Sequence, residues 1–264
     1  MDISTFIGLV VAFAAMGGAL AIMSGHGGGH VNLAGFIDPP AILMVLGGAL
    51  CVSLVGFPMK RVIAMALALK KLFFFRPENT AELIEEIVKL AEIARRDGLL
   101  ALESKSKEIR NPFIALGIQM AVDGIKPETV EDVMRTEIRA MQARHAEGKK
   151  VMETIGRCGP AFGLVATLLG LILMLGNLSN AEAIGPSMAM ALIGTLYGVA
   201  TANFFAIPMA EKLGCLSHEE SMIKEIVVRG VMAIQSGDSP RIVQQKLSTF
   251  LPPKLRGGSE EEAA

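Results

Sequence analysis

Tryptophan is absent from these 264 residues, tyrosine occurs once and cysteine three times. No Lys or Arg occurs from Met1 to Met59, and none occurs between Arg157 and Lys212. So few cysteines exclude a disulfide-stapled scaffold: Cys51 and Cys158 lie in or beside apolar runs and Cys215 follows the last of them, which leaves no pair for an extracytoplasmic bridge. Enzyme signatures are missing too. There is no nucleophile with a matching base, no phosphate-cradling glycine loop in strand-to-helix context and no metal-ligand spacing, so neither a catalytic site nor a cofactor is expected. What remains is 52% hydrophobic and 19% charged, with 16 Met and 28 Gly. Glycine in this quantity lets helices approach closely in lipid.

The net charge of -1 hides a segregated pattern, because all 25 basic residues fall in two blocks. In the basic-free stretches lie uncharged runs at 6–23, 39–59, 159–176 and 183–210. Each reaches or approaches the ~20 residues that a helix needs to cross a bilayer core. The fold class expected is therefore all-α: a polytopic membrane protein with four transmembrane helices and a helical cytoplasmic domain between spans two and three. The first run lacks the basic flank of a signal peptide and is followed by a second span, so it is read as a span. Lys60, Arg61, Lys70 and Lys71 after span two, and Arg157 before span three, place those ends in the cytoplasm and both termini with them. This topology gives five regions: spans at 1–59, a cytoplasmic helical domain at 60–157, spans at 158–210, cytoplasmic helices at 211–256 and a disordered tail at 257–264.

The insertion reads as helices. Leu83, Ile87, Leu90, Ile93 and Ala94 recur at helical spacing, and Asn79 or Thr80 offers a cap for a helix running to Asp97-Gly98. Asn111-Pro112 breaks the chain, and Asp123-Gly124-Ile125-Lys126-Pro127 is a turn. From Pro127 nothing forces a stop before span three, which predicts one long helix. Glu211–Gln235 is helical, and Gly237-Asp238-Ser239-Pro240 turns the chain into a short helix near Arg241–Phe250. The two halves do not repeat, which argues against an inverted-repeat transporter.

An ion crossing a membrane needs a carboxylate or a cluster of oxygens near the midplane. The interiors of the four spans hold no Asp, Glu, Lys, Arg or His; their polar groups are Ser53, Thr167, Ser187, Thr195, Tyr197, Thr201 and Asn203. Hydroxyls can share a dehydrated cation but cannot carry a proton as a carboxylate does, so a conducting protein of this kind needs a partner that supplies the acid. Thr167 and Thr195 both fall mid-span, among Gly163, Ala166, Gly170, Gly194 and Gly198, and could face one cavity; bonding to their own helix backbone is the alternative. Pro160 and Pro208 lie near the cytoplasmic ends of the same two spans. Each removes a backbone hydrogen bond and serves either as a static kink or as a hinge.

Several segments then agree in order with one family: Ile93-Ala94-Arg95-Arg96-Asp97-Gly98-Leu99-Leu100-Ala101-Leu102-Glu103, Arg144-His145, Gly159-Pro160, Ala183-Ile184-Gly185-Pro186, Thr195-Leu196-Tyr197-Gly198 and Gly230-Val231-Met232-Ala233-Ile234-Gln235. Over nearly its whole length the chain resembles the flagellar stator A subunits, the MotA and PomA family, and most of all the sodium-driven PomA branch. The resemblance implies a ring of five A subunits around the helices of a B subunit of the MotB or PomB type, whose Asp binds the ion and whose periplasmic domain grips peptidoglycan. It implies that Arg95, Arg96 and Glu103 engage the rotor protein FliG, that Pro160 and Pro208 couple conformations, and that Thr167 and Thr195 line the ion path.

Asp38 matches an acidic position tied to cation entry, while a helix N-cap before Pro39 would equally justify it. Without the resemblance, Arg95, Arg96 and Glu103 would read as the solvated face of an amphipathic helix. The outer loop His26-Gly27-Gly28-Gly29-His30 departs from the family in its glycine and histidine content; two His in a glycine run make no metal site on their own. Because hydroxyl and carbonyl oxygens suit Na⁺, the transported cargo is expected to be Na⁺, with H⁺ as the alternative. The rivals are an ExbB/TolQ-like proton-channel subunit, a family with generally three spans, and a secondary transporter using the hydroxyls as substrate ligands.

Overall fold

A computed structural model describes residues 3–26, 33–73, 79–106, 109 and 111–253. The histidine-flanked glycine loop and the acidic tail lie outside the described residues. Every regular element among those described is helical: α1 (Ile3–His26), α2 (Pro39–Gly56), α3 (Met59–Phe73), α4 (Thr80–Asp97), α5 (Ala101–Ser106), α6 (Pro112–Val122), α7 (Pro127–Gly176), α8 (Ala181–Gln235) and α9 (Pro240–Ser248), with a 3₁₀ turn at Leu33–Phe36.

Three of them, α2, α7 and α8, contain stretches long and apolar enough to cross a membrane. The fourth, α1, has 24 residues and no Asp, Glu, Lys or Arg, a length of roughly 36 Å at 1.5 Å per residue. The chain is thus an all-helical membrane protein. It divides into two compact units, one formed by Met1–Arg76 with His145–Cys215, the other by Pro77–Arg144 with Leu216–Ala264.

The first unit holds α1, α2, α3, the latter part of α7 and the first part of α8. Its large apolar side chains point outward: Leu50, Leu168, Ile172, Leu192 and Val199 are all exposed, a surface suited to lipid or to other helices rather than to water. Inside, α2 presents Ala41, Val45, Ala49 and Ser53 at four-residue spacing, all buried, and its first half packs on α8. Ser53 Oγ donates to the Ala49 carbonyl at 2.9 Å, so this hydroxyl is spent on its own helix. A π-helical turn interrupts α2 at Leu43–Gly47 and another interrupts α8 at Thr201–Ala206. Neither was evident from the hydrophobic pattern. On α3, Arg61 pairs with Glu147 at 2.8 Å.

The second unit closes on one core in which Leu83, Ile87 and Leu90 of α4 meet Ile114 and Ile118 of α6, Val130 and Met134 of α7, Ile226 and Val231 of α8, and Val243 and Leu247 of α9. Ile93 and Ala94 pack partly buried against it, so the apolar spacing of the sequence maps onto the observed face of α4. The caps follow from local chemistry. Asn79 Oδ1 accepts from Ala81 N at 3.1 Å, and Asn111 Oδ1 accepts from Phe113 N at 2.9 Å, each satisfying an orphan donor at a helix start. Gly98, Gly124 and Gly237 take φ of 86°, 74° and 75°, a region in which side chains are strained, and each ends a helix or turn where the sequence places one. Gln235 Nε2 donates to the Ile125 carbonyl at 2.7 Å and fastens the turn ahead of α7.

The long helix is unbroken for 50 residues, Pro160 included. Within the second unit, α7 and α8 share an ionic cluster that the sequence did not announce. Arg135 Nε donates to Glu131 at 2.7 Å, and its two Nη atoms reach the Glu225 carboxylate at 3.0 and 3.1 Å. The fork-to-carboxylate geometry favours charge on both sides; its hydrogen bond to Glu131, with the Glu225 charge, raises the Arg135 pKa above its ordinary value.

Candidate functional site

In the membrane unit, α7 and α8 meet through glycine. A methyl group added at Gly198 would stand 2.6 Å from the Gly159 carbonyl oxygen and 3.0 Å from Gly163 Cα; one added at Gly170 would stand 2.8 Å from the Ser187 carbonyl oxygen. Gly159-xxx-Gly163 on one helix thus faces Gly194-xxx-Gly198 on the other, backbone against backbone, the small-residue packing that lets membrane helices associate.

That closeness places Thr167 and Thr195 side by side. Their hydroxyls hydrogen-bond each other. Thr167 Oγ1 also lies 3.1 Å from both the Gly163 and Ala191 carbonyls, and Thr195 Oγ1 lies 3.3 Å from the Ala191 carbonyl. The two readings of these hydroxyls therefore coexist: each bonds its own helix, and the pair also forms one polar cluster of two hydroxyl and two carbonyl oxygens. Thr167 is partly buried and Thr195 is exposed, so the cluster opens at one edge of the chain. Clustered oxygens of this kind can replace part of a cation's water shell.

The prolines sit at one level of the same helix pair. A methyl group added at Gly156, one turn before Pro160, would meet Ile207 Cγ1 at 2.9 Å, next to Pro208. Just before Pro208, the Ile207 N–H donates to the Ala202 carbonyl five residues back. This widened turn relieves the clash that a proline ring makes with the carbonyl four residues earlier.

Asp38 precedes α2 in extended conformation (φ -115°, ψ 102°), and its side chain makes no cap hydrogen bond. Pro39 and Pro40 have no N–H to offer, and the Asp38 side chain does not take up the remaining first-turn donor, Ala41 N. One carboxylate oxygen, Oδ2, is buried without a hydrogen-bond partner among the described residues. Asp38 thus occupies the N-cap position through its backbone, while its carboxylate makes no capping hydrogen bond.

Arg95 and Arg96 are exposed at the end of α4, and Glu103 is exposed on α5, on the far side of the Gly98 turn. The two arginines differ. Arg95 Nη1 donates to the Gly237 carbonyl at 3.4 Å, whereas Arg96 grips Asp97 through Nε at 3.1 Å and Nη2 at 2.8 Å. The hydrogen bond and charge of Arg96 hold the Asp97 carboxyl below the usual carboxylate range. A depressed carboxyl stabilises the folded form above its unfolded pKa, and that contribution is lost as pH falls through the folded value. Arg96 keeps 78% of its side chain exposed, but its charge is locally compensated. Sequence spacing alone did not distinguish it from Arg95.

These features define a class: a helical membrane protein with an oxygen-lined cluster between two closely packed helices and no acid inside its spans. The chain belongs to the MotA/TolQ/ExbB proton channel family, whose model matches residues 105–226. It is 36% identical over 251 residues to the chemotaxis protein PomA of Vibrio alginolyticus, covering 95% of this chain and 96% of PomA. To motility protein A of Borreliella burgdorferi it is 44% identical over 186 residues, covering 70% of this chain and 72% of that one. The structure of the flagellar MotAB stator complex from Bacillus subtilis contains a chain that superposes with a TM-score of 0.87 at 30% identity, covering 96% of this chain and 98% of that one. PomA is thus one of several motility relatives. The family is one of channel subunits and not of enzymes.

Proposed function

We propose that this protein is the A subunit of a flagellar motor stator. With a membrane-anchored B subunit of the MotB or PomB type it forms an ion channel, and ion flow through the channel drives rotation against the rotor. The observation that carries this is the pairing of Thr167 with Thr195 in a set of spans without an acid: an oxygen cluster without a proton carrier is half a conduction site, and a carboxylate from another chain completes it. Full-length similarity to motility proteins favours this reading over an ExbB/TolQ-like role or a transporter. The protein sits in the inner membrane with both termini cytoplasmic, in a ring of several copies, with five expected. Pro160 and Pro208 pass the state of the channel to the cytoplasmic helices.

The transported ion is Na⁺, because two hydroxyls and two carbonyls offer neutral oxygens to a cation and no titratable group. The chain holds no cofactor; the ion is its cargo. Swimming speed should rise with external Na⁺ at fixed pH, and Thr167→Val or Thr195→Val should weaken that dependence by about one lost hydrogen bond, roughly fivefold in apparent affinity. Speed indifferent to Na⁺ but responsive to external pH would assign the channel to protons.

Arg95, Arg96 and Glu103 pass torque to FliG through charge. Reversal of Arg95 (Arg95→Glu) should lower torque more than reversal of Arg96, since Arg96 spends part of its charge on Asp97. Bead-rotation assays on assembled motors would measure this; equal torque in both variants and in Glu103→Lys would remove these residues from the rotor contact.

A further inference from the structure

The single tyrosine is unused by the mechanism above. Tyr197 lies two residues beyond Thr195 on α8, and its hydroxyl donates to the main-chain carbonyl of Phe36. Phe36 ends the 3₁₀ turn at Leu33–Phe36, and Asp38 follows two residues later. A phenol in a membrane-facing bundle requires a hydrogen-bond acceptor, and here it takes one from the segment that leads into α2.

The consequence reaches Asp38. Its backbone is fixed on the far side, where the Asp38 carbonyl accepts from Ile42 N at 3.0 Å, and Pro39 and Pro40 restrict φ. On the near side, the Tyr197–Phe36 bond ties the segment to α8. Between these two anchors, the buried Oδ2 has no donor among the described residues. An anionic oxygen without a donor is costly away from water and is relieved by a cation.

We propose that Tyr197 is a positioning residue for the transported cation: by holding the Phe36 carbonyl it sets the Asp38 carboxylate, with its unpartnered Oδ2, where an entering cation meets it. This rests on the reading of Asp38 as a cation-entry group, and the test separates the two. The aromatic ring is kept in Tyr197→Phe, so only the anchor is lost.

In the intact complex of A and B subunits, swimming speed is measured against external Na⁺ at fixed pH, and against external pH at fixed Na⁺, for Tyr197→Phe, Asp38→Asn and the double variant. Tyr197→Phe should raise the half-saturating concentration of the driving cation about fivefold with maximal speed retained. Asp38→Asn should raise it at least as far, and adding Tyr197→Phe to it should change nothing more, as expected when one residue acts through the other. A normal Tyr197→Phe beside a shifted Asp38→Asn overturns the positioning role alone. An unshifted Asp38→Asn overturns the reading of Asp38 and the proposal with it. Equal shifts from Tyr197→Phe in both backgrounds, or a fall in maximal speed with half-saturation unmoved, would make Tyr197 merely structural.

Should the variant fail to power a motor, the anchor is read directly. A thiol placed by Ile37→Cys, at an exposed position, should react with an external labelling reagent several-fold faster when Tyr197 is Phe; unchanged labelling overturns the proposal.

Discussion

Gly198→Ala should abolish motility. The added methyl group would stand 2.6 Å from the Gly159 carbonyl oxygen and 3.0 Å from Gly163 Cα, and both obstacles are backbone, which cannot rotate away as a side chain end can. The helices must separate, with an overpacking cost of about 1–3 kcal/mol. Separation also pulls Thr195 from Thr167, so the oxygen cluster is lost along with the contact. Thermal unfolding of the purified complex and swimming of cells carrying the variant would both register it. Gly185→Ala on the same helix meets nothing within 4 Å and serves as the control. A Gly198→Ala motor with normal speed would show that α7 and α8 do not need this approach to conduct.

Ile114→Ala should strongly destabilise the second unit. Ile114 is fully buried in the cluster shared by α4, α6, α7, α8 and α9, and its loss removes apolar contacts and leaves a cavity. The expected cost is about 2–5 kcal/mol, a large part of the 5–15 kcal/mol that typically holds a domain. Denaturant titration of the full chain in detergent, followed by helical circular dichroism, would measure it. A loss below about 1 kcal/mol would mean that the neighbouring helices collapse to fill the space.

Much of this architecture could be read from residues because it is written in local rules. Charge segregation marks the spans, apolar spacing marks the buried face of α4, and Asn79, Gly98, Gly124 and Gly237 punctuate the helices. The threonine pair was legible as two hydroxyls at similar depth. What was not legible depends on contacts between elements far apart in sequence. Nothing in the string distinguishes Arg96, bound to Asp97, from Arg95, or joins Arg135 to Glu225. At Asp38 two prolines in succession narrow the cap donors to Ala41 N, and the missing side-chain bond to it could not be read from the string. The π-helical turns had no signal beyond Pro208, which one of them precedes.

The absence of tryptophan and the solitary tyrosine give the isolated chain an unusual optical property. Its near-ultraviolet phenol absorbance and emission arise from one ring, whose hydroxyl is bonded to the Phe36 carbonyl. Breaking that bond changes the polarity around the only chromophore of its kind, so the chain carries a built-in reporter of the segment leading into α2, with no label required.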